Sequence, residues 1–281
     1  MVPAVTGPTL TGEVLRRATA HLGGTSATAR LDAELLLAHA LGRSRIELYT
    51  DFDRPLTNEE LGVYRDLVVR RARHEPVAYL LGEWGFRRLT LAVDCRALIP
   101  RPETEIVVER CLELLGELET PAVLDVGTGT GAIALAIADE HTGARVTAID
   151  VSPAALELAR ENASRTGLEI DLREHDFRTG LPGGPYDLVV SNPPYVDPAD
   201  LETLMPDVRD YEPHIALVGY DALETIAEAG LQVLPAGGRL VLEVAAGQSQ
   251  HASRLLSDLG YRDVAVTNDL AGRDRVVEAR R

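Results

Sequence analysis

Val123-Leu124-Asp125-Val126-Gly127-Thr128-Gly129-Thr130-Gly131 decides what kind of fold this chain adopts. A short apolar run suited to a buried strand meets glycines at alternate positions, and a helical pattern opens at once behind them. Glycine tolerates positive φ and lets the backbone approach a ligand with no Cβ in the way. Strand, tight turn and helix, in that order, begin a βαβ unit. About 20 residues on, Asp150 ends the next strand, where an acid accepts hydrogen bonds from ribose hydroxyls. Gly127, Thr128, Gly129, Thr130, Gly131 and Asp150 are therefore candidate cofactor contacts. Gly127, Gly129 and Ala132 also satisfy the looser dinucleotide pattern, and a tight turn with no ligand is a third reading. Asp125 and the third close-set glycine favour S-adenosylmethionine. A dinucleotide rests its pyrophosphate on the helix N-terminus; S-adenosylmethionine has no phosphate and needs polar partners for its amino-acid end.

From Ala122 onward, strand and helix patterns alternate. Strands are predicted at 122–126, 145–150, 169–173, 187–191, 238–245, 261–267 and 275–280, and helices near 131–140, 153–165, 221–233 and 249–258. Such alternation implies a mostly parallel sheet covered on both faces. The last two strands are joined too briefly for a crossover, so an antiparallel hairpin through Asp269 to Asp274 is expected. The first ~80 residues have apolar spacings near the helical period. A helix starting near Ser26 would bury Leu31, Leu35, Leu36 and Leu37, and Thr57-Asn58-Glu59-Glu60 fits a capping box. Between these regions Leu89, Leu91 and Val93 alternate with Thr90, Ala92 and Asp94, as strands do. The expected organisation is a helical domain (1–82), a β-hairpin connector (83–104) and an α/β domain (105–281).

The chain has 281 residues and a net charge of −16, and its basic side chains are all arginine. That charge disfavours broad docking on a phosphate backbone, which depends on cations. Without lysine there is no P-loop lysine and no Schiff base. Cys95 and Cys111 fit neither a zinc pattern nor a disulfide framework, and no metal site is expected. The chain has no apolar run long enough to span a membrane, and Met1 to Leu10 lacks the regions of a secretion signal. A cytoplasmic location is the simplest expectation. Arg65, Arg70, Arg71 and Arg73 suggest either a solvated helix face or a docking face.

Ser191-Asn192-Pro193-Pro194-Tyr195 closes the fourth strand of the α/β domain. Two prolines remove two N–H groups and stiffen the backbone. A planar NH2 group, as in a carboxamide or adenine, has a delocalised lone pair and is a poor nucleophile. The workable route holds both N–H groups with acceptors while the nitrogen pyramidalises during attack. Asn192 offers a side-chain oxygen, Pro193 a carbonyl whose direction Pro194 helps fix, and Tyr195 a flat face. Catalysis by Asn192, Pro193, Pro194 and Tyr195 would rest on orientation and electrostatics. The matching electrophile is a sulfonium methyl.

With these residues assembled, the chain resembles the bacterial protein-(glutamine-N5) methyltransferases that act on peptide chain release factors. The resemblance runs nearly the whole length. It includes Pro76 to Gly82, Leu98-Ile99-Pro100-Arg101-Pro102-Glu103-Thr104-Glu105, Gly127–Gly131, Asn192–Tyr195 and Asp269 to Arg275. It implies a seven-stranded class I methyltransferase domain behind a helical substrate-recognition domain. It also implies cofactor contacts from Gly127–Gly131, Asp150, Phe177 and Asn192, with Asp176 and Phe177 meeting the adenine. The implied partner is a release factor, whose Gly-Gly-Gln glutamine amide lies against Asn192–Tyr195, with no stable nucleic-acid binding and no membrane.

Rival readings make different demands. A nucleic-acid adenine methyltransferase must extract a base and grip phosphates, which an acidic chain suits poorly. An NAD(P)-dependent oxidoreductase gives Asn192–Tyr195 no role. A silent cofactor-binding scaffold gives no reason to keep them.

Overall fold

A computed structural model describes residues 9–219 and 221–281. Most of the Met1 to Leu10 stretch read above thus lies outside the described residues. The chain divides into two compact units. One runs to Gly82 and regains Met205–Tyr211; the other holds Glu83–Leu204 and Glu212–Arg281.

The first unit is helical: α1 (Thr11–Leu22), α2 (Ala29–Leu41), α3 (Arg45–Thr50), α4 (Asn58–Ala72) and α5 (Val77–Leu81). The capping box is formed as expected. Thr57 accepts from the Glu60 N–H while Glu60 accepts from the Thr57 N–H, satisfying two helix-end donors. On α2 the buried face differs from the expected one. Leu31 is 38% exposed, whereas Ala33, Leu36 and Leu37 are fully buried against Leu15, Leu22 and Tyr64. Asp32 takes the inward place near Leu31, because its carboxylate has donors there: Ser26, Thr28 and the Arg71 guanidinium at 2.7 Å. Arg71 also approaches Asp207 of the returning segment at 3.6 Å. The arginine cluster is therefore not one surface. Arg71 is buried structure, while Arg65 and Arg73 are exposed.

In the second unit β1 (Glu83–Phe86) and β2 (Leu89–Ala92) form an antiparallel hairpin. Then follow α6 (Thr104–Leu115), β3 (Ala122–Val126), α7 (Ala132–Glu140), β4 (Arg145–Asp150), α8 (Pro153–Thr166), β5 (Asp171–Glu174) and β6 (Leu188–Ser191). After the short α9 (Pro206–Tyr211), which packs in the first unit, come α10 (His214–Leu217), α11 (Ala222–Val233), β7 (Arg239–Glu243), α12 (Ser249–Asp258), β8 (Arg262–Asn268) and β9 (Asp274–Arg280). The sheet order is β5-β4-β3-β6-β7-β9-β8. β3 to β7 pair in parallel, and β9 pairs antiparallel with both β7 and β8, as the short connection requires.

Alternation along β3 shows why the sheet is covered twice. Val123 packs with Val107, Cys111 and Ala134 on one face. Leu124 packs with Ile226, Ala227 and Leu256 on the other. From β3 the strand order runs one way through β4 and β5 and the other way through β6 and β7. The crevice at such a reversal, outside the carboxyl ends of the strands, is where this architecture binds ligands.

Candidate active site

Beyond Val126 the chain must turn at once, and the Gly127 and Thr128 N–H groups both donate to the Ile149 carbonyl at 2.9 Å. That turn puts Gly127 at φ +74° and Gly129 at +56°, where a side chain is strained. A Cβ at Gly127 would meet nothing within 4 Å. Gly131 is different: its Cβ would press on Leu135 and Ala159 at 3.2 and 3.3 Å, so its smallness serves packing beneath the loop. Two buried groups fix the loop from inside. Thr128 donates to Asp125 at 2.6 Å, and the Asn162 amide donates to the Thr130 carbonyl at 2.9 Å. Burial pushes the Asp125 carboxyl up to about 7, against the lowering effect of the Thr128 hydrogen bond.

Asp150 accepts from the Gly129 N–H with one oxygen and from the Ser152 N–H with the other, both at 2.9 Å. Each carboxylate oxygen keeps acceptor capacity for a further donor. Burial raises its pKa, and the two N–H groups oppose that. Phe177 is buried, and the Arg178 guanidinium lies 4.9 Å from its ring centroid. Asp176 is engaged elsewhere: it accepts from the Arg178 N–H and caps its own turn.

One strand away, Ser191 donates to the Val126 carbonyl at 2.7 Å. Asn192 follows, and its amide nitrogen donates to Thr104 Oγ1 at 3.3 Å. The Thr104 hydroxyl donates in turn to Glu243 at 2.7 Å. Thr104 and Glu243 are 4% and 2% exposed. Burial pushes the Glu243 carboxyl up to about 7, with the Thr104 hydrogen bond opposing. Farther along, the Val196 N–H donates to the Leu217 carbonyl, and Gly219 leaves room for Pro194: a Cβ there would stand 2.9 Å from the Pro194 carbonyl oxygen. Glu212, buried, accepts from the Ile99 N–H and from Arg101.

These elements wall one cleft. Of the residues singled out from sequence, Gly127, Thr128, Gly129, Thr130, Asp150, Phe177, Asn192 and Pro194 line it. Gly131 supports the loop instead, Pro193 is buried and Tyr195 half-buried. From sequence, Tyr211 to His214 reads equally as a segment that helps close the site or as a structural turn, while Asn162, Gly219 and Glu243 carry no role. Glu243 left a signal: it is the one acid in the apolar run Leu240-Val241-Leu242-Glu243-Val244. Asn162 and Gly219 left none, because their partners lie far away in the sequence.

Two family models match the chain: PrmC N-terminal domain over residues 13–82 and Methyltransferase small domain over residues 105–206. Curated relatives bearing the name release factor glutamine methyltransferase align along most of its length. That of Geobacter sulfurreducens is 43% identical over 256 residues, covering 90% of this chain and 89% of the relative. That of Deinococcus radiodurans is 43% identical over 274 residues, covering 92% and 96%. Among solved structures, a Pyrococcus furiosus methyltransferase superposes with a TM-score of 0.52 at 19% identity, covering 68% of this chain and 87% of that one. A Thermus thermophilus 16S rRNA methyltransferase, solved with AdoMet and guanosine, gives 0.53 at 18% identity, covering 71% and 49%. At those identities the likeness is one of fold.

Proposed function

The chain belongs to the release factor glutamine methyltransferase family, and on that premise we propose that its cleft seats S-adenosylmethionine on the Gly127–Gly131 side and the target amide beside Asn192–Tyr195. The activity is methylation of the side-chain amide nitrogen (N5) of the glutamine in the Gly-Gly-Gln loop of peptide chain release factors, with S-adenosylmethionine as cofactor. The observation that carries the assignment of the site is a shared opening. The glycine loop leaves β3, Asn192 leaves its neighbour β6, and both reach one cleft.

The residues present suit the cofactor. Open space over Gly127 would be filled by any side chain, so the loop is built for close approach. Asp150 keeps lone pairs for ribose hydroxyls, and apolar lining from Ile133, Ala155 and Phe177 suits a flat base. When bound, S-adenosylmethionine supplies a methyl group on a sulfonium, open to in-line attack. Asn192 Oδ1 and the Pro193 carbonyl would accept from the two N–H groups of the target amide. Held so, the amide nitrogen could pyramidalise and take the methyl without first losing a proton, with a neutral thioether as the leaving group. One N–H proton would then pass from the methylated nitrogen to water. The Tyr195 ring would offer a face to the planar amide. Burial holds the Tyr195 phenol above its ordinary pKa, so it stays protonated and serves as a surface, not a base.

The helical unit up to Gly82 would recognise the body of the release factor. A net charge of −16 supports a protein, not nucleic acid, as the partner, and a translation substrate supports action in the cytoplasm. Among the described residues no helix is long and apolar enough to cross a membrane. The test is intact-mass analysis of unmethylated release factor after incubation with enzyme and S-adenosylmethionine. One methyl group gained, mapped to the Gly-Gly-Gln glutamine, is expected; a methyl on another residue would overturn the assignment.

A further inference from the structure

We infer that Thr104 and Glu243 are positioning residues that fix which way the Asn192 side-chain amide faces. The inference rests on the reading that Asn192 Oδ1 accepts from the target amide.

An asparagine side chain is nearly symmetric in shape but opposite in function at its two ends. Turned one way, Asn192 offers the substrate an acceptor; turned the other, it sets NH2 against NH2. Something must choose. The hydrogen-bond inventory of the chain Glu243–Thr104–Asn192 makes the choice. An ionised carboxylate has no proton to give, and a threonine hydroxyl has one proton and two lone pairs. With Oγ1 to Oε2 at 2.7 Å, the Thr104 proton is committed to Glu243. Thr104 can then only accept from Asn192, so the amide must turn its nitrogen to Thr104, where it stands 3.3 Å away. Asn192 lines the cleft, and its oxygen is left for the ligand.

The arrangement works only while Glu243 is ionised. Once protonated, Glu243 can donate to Thr104, the Thr104 proton is free to turn to Asn192, and the amide can flip. Burial brings Glu243 to about 7, with Arg275 and Arg101 favouring the charge and Glu103 opposing it; the Tyr195 phenol, neutral, also faces it. Pairing along the sheet places Glu243 beside Val276, so β9 adds no further charge at that position. A buried carboxylate beside the reaction centre therefore acts on the substrate through two intervening side chains.

The experiment is single-turnover methylation of unmethylated release factor at saturating S-adenosylmethionine across pH. Thr104→Val keeps size and removes both hydrogen bonds. It should lower the rate about ten-fold or more, with cofactor affinity and KM for the factor nearly unchanged. Thr104→Ser should regain most of that loss. The unaltered enzyme should slow as pH falls through about 7. Glu243→Gln, which can donate or accept at any pH, should be slow throughout and lack that limb. In cofactor-free protein, the Asn192 side-chain NH2 resonances, assigned by their loss in Asn192→Asp, should shift with the same midpoint, and should not in Glu243→Gln. Asn192→Ala separates the two levels. If it keeps the full rate, the role of Asn192 itself is wrong. If it is slow while Thr104→Val is fast, or if Glu243→Gln keeps the acid limb, only the positioning role fails. Should Thr104→Val not fold, the near-isosteric Glu243→Gln carries the test.

Discussion

The Ser191 hydroxyl donates to the Val126 carbonyl across 2.7 Å, tying the end of β6 to the end of β3. These are the last residues before the amide motif and before the glycine loop, and both are fully buried. The strand register also sets them opposite one another. We expect Ser191→Ala to cost about 1 kcal/mol of stability, the net worth of one hydrogen bond. The larger effect should fall on turnover, because the two halves of the site lose their shared anchor. Urea unfolding and single-turnover rates would check this; a variant that is less stable yet fully active would limit the bond to a structural role.

Asp150→Ala should act on cofactor affinity. It removes an acceptor that already fixes the Gly129 and Ser152 N–H groups and leaves both without that partner. Loss of a hydrogen bond to a charged group costs about 1.5–3 kcal/mol, or about one to two decades in Kd. Calorimetric titration of the folded variant with S-adenosylmethionine is the measurement. Unchanged affinity would mean that Asp150 only shapes the loop.

The strands and the glycine loop were legible in sequence because local rules govern them. Val123 to Gly131 carries the pattern of a strand, a tight turn and a helix start within one short stretch, and the capping box at Thr57 and Glu60 is likewise written in one short stretch. Leu31 went wrong for a nonlocal reason: Asp32 turns inward because Arg71 waits 39 residues later. Asp176 caps its own turn through the Arg178 N–H two residues on. The active-site support was hidden in the same way. Thr104 and Glu243 lie 139 residues apart, and Ile99 and Glu212 lie 113 apart, so only the fold shows that they meet.

Stability should depend on pH through Asp125 and Glu243. Both carboxyls titrate near about 7 in the folded chain, against ordinary values of 3.8 and 4.5. The folded chain thus binds their protons more tightly than the unfolded chain does. The stability they contribute is complete below about pH 4 and is lost as pH rises through about 7. Glu243→Gln removes its share of that slope. It should therefore be more stable than the unaltered enzyme at about pH 8, with the gap closing at acid pH, while turning over more slowly. Parallel stability–pH curves for the two proteins would count against this.

Gly219→Ala should distort the amide motif from behind. The new Cβ would stand 2.6 Å from Pro194 Cγ and 2.9 Å from its carbonyl oxygen. Neither atom belongs to a flexible side-chain end, so Pro194 must move. Overpacking of this kind costs about 1–3 kcal/mol. Turnover should drop with cofactor affinity retained, since the glycine loop lies on the other strand. Calorimetry beside single-turnover kinetics would show it, and equal losses in both would point to general unfolding instead.

Asn192→Asp keeps size and shape but inverts the hydrogen-bond pattern. The Asn192 nitrogen donates to Thr104, whose own proton goes to Glu243. An aspartate has no proton to donate, so two carboxylates would compete for the single Thr104 proton. Like charges so close raise the pKa of at least one of them. The new negative charge also faces the sulfonium of the bound cofactor and stabilises that ground state. The sulfonium charge fades as the methyl departs, so this attraction weakens toward the transition state, and only interactions that strengthen there raise the rate. We expect cofactor binding to be retained or tightened, and turnover to fall by about 10²-fold or more, as when a positioned polar group is lost. Single-turnover methylation at saturating cofactor and release factor is the measurement. A near-normal rate would show that the Asn192 amide orients nothing in the transition state.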